Sequence, residues 1–318
     1  MSDEVLDGYD VVVIGGGAAG LNGALMLARS RRTVLVVDAG QPRNRPAQAV
    51  HGLLGHDGIS PAELLERGRD EVRHYGGEVT NGEVTAAVPD ADGGFVVAIA
   101  DGRRVRARRL LVASGLVDEL PGVPGLRERW GRDVVHCPYC HGWEVRDRAI
   151  GVLATGPMSV HQALLFRQLS EDVVYFANET ALDEAQTAQL AARGIRVVDG
   201  RVSALAIDDD RLAGLRLADG GVVPREVVTV GARMVARAGF LRDLGLRASA
   251  HPSGMGEHIP VDAAGRTEVA GVWAAGNVAD LSAQVGTAAA AGAFAAAQIN
   301  ADLAAEEAQL AAKAIAQR

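Results

Sequence analysis

Residues 9–40, YDVVVIGGGAAGLNGALMLARSRRTVLVVDAG, carry an apolar run, a glycine turn, a small-residue helix and a second apolar run ending in Asp38. This is the opening of a βαβ unit, and few folds accommodate it. The turn reads Gly15-x-Gly17-x-x-Gly20, and Asp38 follows 23 positions after the first glycine. The three glycines give a tight turn, a close approach of backbone to a pyrophosphate, and close helix-to-strand packing, while the acid suits a ribose hydroxyl. Free N–H groups and the dipole at the helix start favour the phosphates. Strand, turn, helix and spaced acid together predict a dinucleotide site.

The plan recurs. AIGVLATGPMSVHQALLFRQLSEDVVYFANE repeats it at a constant offset of 139 residues, so the chain contains two βαβ units. Here Ala154 stands for Gly15, Ser159 for Gly20 and Ala177 for Asp38, and only Gly156 is kept. A Cβ at the first position conflicts with a turn needing positive φ. No acid remains for a ribose, and no Arg or Lys lies in YFANETALDE to meet a 2′-phosphate. The second unit is thus expected to keep the fold and lose nicotinamide binding.

Ser60, Pro61 and Glu63 suit N-cap, N1 and N3 of a helix. Segment 118–125 reads as a Pro/Gly linker, a second crossover is placed near GFLRDLGLRA, and GVWAAGN leads from a buried strand into a long small-residue helix. AAEEAQLAAKAIAQR at the C-terminus reads as a polar, Ala-rich surface helix. The expected organisation is α/β, with two Rossmann-like three-layer domains: residues 1–116 and 246–318 form a discontinuous nucleotide-binding domain, and 117–245 a degenerate one inserted into it.

With 40 acidic against 32 Lys and Arg residues, the chain lacks the basic footprint of a nucleic-acid or anionic-membrane binder. Its acidic start, MSDEVLDGYD, is unlike an export signal, which makes the cytoplasm the expected location. The Ala-rich stretch 287–297 is far shorter than the ~20 residues of a membrane span. Only two cysteines are present, both in VVHCPYCHGWEV. In a reducing compartment such a pair points to redox chemistry or a metal. A zinc site from His136, Cys137, Cys140 and His141 would crowd four tetrahedral ligands into six residues, which argues against it.

The N-terminal glycine motif with Asp38, the strand LLVASG, the CxxC in the inserted segment and GVWAAGN near the end together resemble the low-molecular-weight thioredoxin reductases over essentially the whole chain. That resemblance implies a homodimer whose split domain binds FAD and whose inserted domain binds NADPH and carries the CxxC. Gly15, Gly17, Gly20 and Asp38 would hold the ADP half of FAD, Gly276 and Asn277 would follow the pyrophosphate and ribityl chain, and Gln284 would lie near the flavin ring. Arg43 and Asn44, after the first βαβ unit, are further candidates for FAD contact, with solvated loop positions as the alternative. Three departures stand out: Asn277 replaces the usual Asp, His141 replaces an Asp acid, and the nicotinamide fingerprint is gone. CPYCHGWE beside a degraded nicotinamide site is similar to the dithiol oxidases of natural-product pathways, the gliotoxin, holomycin and romidepsin type, which use molecular oxygen.

On that resemblance a small-molecule dithiol attacks an oxidised Cys137–Cys140 pair at Cys137, and its second thiol closes the substrate disulfide by exchange. Cys140, the flavin-side sulfur in the family, returns the electrons to FAD, and oxygen becomes hydrogen peroxide. A His can take and return the protons near pH 7. His141 is the first candidate and His136 the second, with a plain hydrogen bond to backbone as the alternative for each. His51 and His56 in the loop VHGLLGHDG either line the pocket or are merely exposed, and Trp143 either walls the pocket or packs under the helix. A protein disulfide reductase fed by NADPH or ferredoxin stays open as the other enzyme reading, and a flavoprotein redox sensor as the non-enzymatic one.

Overall fold

The computed structural model describes residues 5–317; the first four residues of the acidic start lie outside these. The chain divides into two compact units, Met1–Arg45 with Ser60–Val117 and Met234–Arg318, and Pro46–Ile59 with Asp118–Arg233. The crossover into the second unit lies beside the expected residue 117, but the chain returns at Met234, not at 246. Ala236, Ala238, Leu241 and Leu246 are the reason, since they pack into the same core as Val12 and Val97. The loop Pro46–Ile59 joins the second unit, a grouping absent from the sequence reading.

In the first unit the strands Glu78–Asn81, Val34–Asp38, Val5–Ile14 and Arg104–Val112 lie side by side and parallel. The last of these forks: its first half pairs antiparallel with Phe95–Ile99, and Leu110–Val112 pair in parallel with Val272–Ala274. Val11, Val13, Val34 and Val36 enter one core, and Val12, Ile14, Leu35 and Val37 the other. Both faces of the sheet are covered, so the strands read as unbroken apolar runs instead of alternating.

Helix Ala18–Arg29 packs on helix Val285–Ala316 through small residues. A Cβ on Gly292 would stand 1.9 Å from the Ala19 carbonyl oxygen. The polar stretch expected as a separate helix is the end of this single 32-residue helix. Its anchors are polar: Glu307 pairs with Arg32 at 2.6 Å, Glu306 with Arg108 at 2.7 Å, and Asp302 with Arg109 at 2.7 Å. Helix Pro61–His74 starts as its sequence predicts, with Pro61 at N1 and the Ser60 hydroxyl accepting the Glu63 N–H at 3.1 Å. No described helix is long and apolar enough to cross a membrane.

The second unit has a five-stranded parallel sheet ordered Arg196–Val198, Val173–Phe176, Ile150–Leu153, Val227–Val230 and Val134–Val135. An antiparallel meander, Val202–Asp208, Arg211–Leu217 and Val222–Pro224, accompanies it. The edge strand Val134–Val135 is only two residues long and is braced at its start. Arg129 and Asp133 are both buried and bond in a two-pronged pair, Nε to Oδ1 at 2.8 Å and Nη2 to Oδ2 at 2.5 Å. Asp133 also accepts the Leu212 N–H, and Arg129 reaches Asp210. Burial alone would raise the Asp133 pKa, but the Arg129 pairing and the Leu212 N–H outweigh it and hold the carboxyl below its usual range.

Candidate active site

The dithiol sits where the edge strand Val134–Val135 runs out, at the carboxyl end of a parallel sheet, where open α/β folds place their ligands. Cys137 caps a single helical turn, Pro138–His141, whose Cys140 and His141 N–H groups donate to the Cys137 carbonyl at 3.3 and 3.1 Å. That turn brings the two half-buried sulfurs to 2.7 Å, inside van der Waals separation and within reach of a disulfide. One turn of helix has little macrodipole to offer a thiolate. Charge handling therefore falls to side chains.

His141 is the group suited to it. Among the described residues no hydrogen bond is found to its half-buried ring. Burial holds its pKa below the ordinary histidine value; Glu144 opposes the shift, and His51 adds to it. The ring is thereby biased toward its neutral form. His136 lies on the other side of the pair, half-buried, with its carbonyl accepting from Gln162 Nε2 at 2.7 Å and from the Thr229 hydroxyl at 3.4 Å. Gln162 also donates to Thr229 Oγ1 at 2.7 Å, so the segment entering Cys137 is clamped from helix Met158–Phe166 and strand Val227–Val230. Trp143 does not pack under the helix; it is 66% exposed, with the Arg146 guanidinium 4.1 Å from its ring centre. His51 lies 3.4 Å from Glu144, whereas His56 is exposed.

The first glycine turn builds a second site within the other unit. Gly15 has φ 110°, and a Cβ on it would stand 2.3 Å from the Ala113 carbonyl oxygen; one on Gly20 would stand 1.8 Å from that of Gly15. Gly17 faces open space: it caps helix Ala18–Arg29 with no side-chain bond, leaving the first-turn N–H groups for an anion. Asp38 stands over Gly16, mostly buried, and accepts the Gly40 N–H at 3.1 Å. Gly276 reaches the same helix start, since its Cβ would lie 2.8 Å from Ala19 Cβ and 3.7 Å from Ala288 Cβ. Gln284 is the exposed N-cap of the long helix and also lacks a capping bond. Two open helix starts thus meet at one turn, opposite a carboxylate.

A model of the pyridine nucleotide-disulphide oxidoreductases matches residues 9–297. The chain belongs to that family. This oxidoreductase is 32% identical over 280 residues to thioredoxin reductase tcpT of Claviceps purpurea, covering 84% of this chain and 86% of the relative. It is 29% identical over 288 residues to thioredoxin reductase sirT of Leptosphaeria maculans, covering 85% and 87%. Among solved structures, HlmI matches with TM-score 0.91 and 47% identity over 98% of this chain and 97% of that one. An oxidoreductase from Agrobacterium tumefaciens matches with TM-score 0.86 and 38% identity over 93% and 99%.

The cofactor of this oxidoreductase is FAD, and the first turn fits it: open donors at Gly17, the Gly276 turn, and Asp38 within the same cradle. Asn277 has a local reason to be an amide, because its Nδ2 donates to the carbonyls of Asp280 and Ala283 at 3.0 and 2.9 Å. A carboxylate cannot donate to them. Arg43 touches the Met234 sulfur at 3.4 Å, and half-buried Asn44 follows it in the same turn.

The second turn of the oxidoreductase keeps open space at Gly156 but differs in its bonds. The Ser159 hydroxyl accepts the Thr155 N–H at 3.0 Å, and the Ser159 N–H is spent on Gly156. Pro157, with no N–H, precedes the helix. At the end of strand Val173–Phe176 Ala177 stands at the place of the ribose acid, and Asn178 beside it bridges the Ala154 carbonyl and the Val202 N–H at 3.3 and 2.9 Å. Asn178, Gln162 and Thr229 escaped the sequence reading. A polar residue spaced among apolar ones, as in MSVHQALLF, was the one available signal for Gln162.

Proposed function

We propose that this oxidoreductase is an FAD-dependent dithiol oxidase that closes a disulfide within a small-molecule substrate, acting as a homodimer with oxygen as final acceptor. One observation supports the reading: the second turn has Ser159 and Ala177 at the places of Gly20 and Asp38 and no Arg or Lys directly after its strand, so electrons enter from the dithiol side. His141 supports it as a neutral base beside Cys140. In this scheme a substrate thiol gives its proton to His141, and the thiolate attacks Cys137 Sγ of the oxidised pair. The Cys137–Cys140 bond breaks, a mixed disulfide forms, and the electron pair rests on Cys140. The second substrate thiol loses its proton, attacks its own partner sulfur and releases Cys137. The substrate is oxidised by two electrons and the enzyme pair is reduced by two. FAD, when bound, supplies the acceptor that reoxidises the pair and hands the electrons to oxygen as hydrogen peroxide.

The test is anaerobic. The flavin band should bleach with dithiothreitol, recover in air with one peroxide per turnover, and stay unchanged with NADPH. Rapid bleaching by NADPH would sink the oxidase in favour of a reductase. Cys140→Ser should retain FAD and lose dithiol-driven bleaching.

A further inference from the structure

The loop Pro46–Ile59 folds with the unit that carries the dithiol, and it presents a histidine with an acid at each ring nitrogen. His51 Nε2 lies 3.4 Å from Glu144 Oε1, and its Nδ1 lies 3.5 Å from Asp57 Oδ1. Glu144 is three residues past His141, and the charges of both Glu144 and His51 act on the His141 ring. The loop is built to hold this arrangement: Asp57 Oδ1 accepts the Gly52 N–H at 2.9 Å, and Val50 pairs with Ile59 in an isolated bridge. The path ends in water. His51 is 26% exposed at its side chain, and Asp57 68%.

Two protons leave the substrate in each oxidation, and a half-buried base must be emptied before it can accept again. An imidazole flanked by two carboxylates takes a proton on one nitrogen and releases one from the other. We propose that Glu144, His51 and Asp57 form the proton exit from His141. The proton passes from protonated His141 through an intervening water to the Glu144 carboxylate, then to His51 Nε2. The Nδ1 proton leaves to Asp57 and solvent, and exchange of the His51 tautomer restores the start. No electrons move along this path. The charged and titratable groups recorded around His51 are Asp57, Glu144 and His141. The proposal rests on His141 being the base of the dithiol step.

The experiment measures anaerobic flavin reduction by dithiothreitol in holoenzyme at pH 7, in dilute buffer with and without added imidazole. His51→Ala should slow reduction about tenfold, less than the roughly 100-fold expected for losing the base itself in His141→Gln. Added imidazole should restore the His51→Ala rate in proportion to its concentration, which a merely structural role would not allow. Asp57→Asn should slow the same step, and FAD content reports whether each variant is folded. Should His51→Ala lose its FAD, Asp57→Asn and His51→Gln carry the test, with the slowed step expected in both. Wild-type rates in folded His51 and Asp57 variants, or a loss that imidazole does not relieve, would overturn the relay while leaving His141 as base. A wild-type rate in His141→Gln would overturn the base, and the relay with it.

Discussion

Gln162→Leu tests whether the clamp on His136 sets the order of the CxxC segment. The substitution removes two hydrogen bonds of 2.7 Å, one to the His136 carbonyl and one to Thr229 Oγ1, from a place where Thr229 is completely buried. Each such bond contributes about 1 kcal/mol net, and a buried hydroxyl left short of a partner costs about 1 kcal/mol more. The loss is about 2–3 kcal/mol. If it falls on the local opening of residues 134–142, amide exchange there should quicken by about 30-fold or more. Hydrogen exchange read by mass spectrometry separates this segment from peptides covering Val11–Ile14, which lie in the other unit and should exchange at the wild-type rate. Unchanged exchange at 134–142, or equal acceleration in both units, would refute the clamp as a local device.

The lowered pKa of His141 fixes the sign of a pH dependence. The ring is a base above its pKa, so dithiol-driven flavin reduction should sit on a plateau at pH 7 and fall in acid, with its midpoint below about 6.5, the usual histidine value; His141→Gln should remove that limb. Asp133→Ala should destabilise the second unit by about 2–3 kcal/mol in urea titrations, because it removes the two-pronged partner of buried Arg129 and leaves only Asp210 and its carbonyl. The Asp133 carboxyl is held below its unfolded pKa, so the stability it adds is present above that pKa and is lost as pH falls through the lowered one.

The parts of this molecule legible in its sequence are those fixed by short-range rules. Apolar runs gave the doubly covered strands, Ser60-Pro61-Glu63 gave a helix start, and the glycine turn gave an open helix N-terminus. The offset of 139 residues announced the second βαβ unit because its apolar runs survive the loss of its glycines. What stayed hidden depends on where the chain goes after it leaves an element. His51 and Glu144 are 93 positions apart, and nothing in VHGLLGHDG says that it folds against the CxxC unit. The return at Met234 is set by four apolar side chains spread over 236–246 that find the first core, a choice no local pattern encodes.

The duplication makes the two units a controlled comparison, since the same strand–turn–helix carries different side chains at matched positions. At Gly20 the absent side chain lets backbone approach so closely that a Cβ would collide with the Gly15 carbonyl, and the helix start is left bare. At Ser159 a hydroxyl turns back onto Thr155, and at the strand end Ala177 takes the acid's place while Asn178 beside it bonds Ala154 and Val202. Under the proposed function this helix start serves no anion, and the rest of the helix is free for other work. One turn further along, Gln162 of this helix holds the backbone that enters Cys137. The same strand–turn–helix that in the first unit presents an open helix start thus also serves, in the second, as a mount for the dithiol without a change of fold.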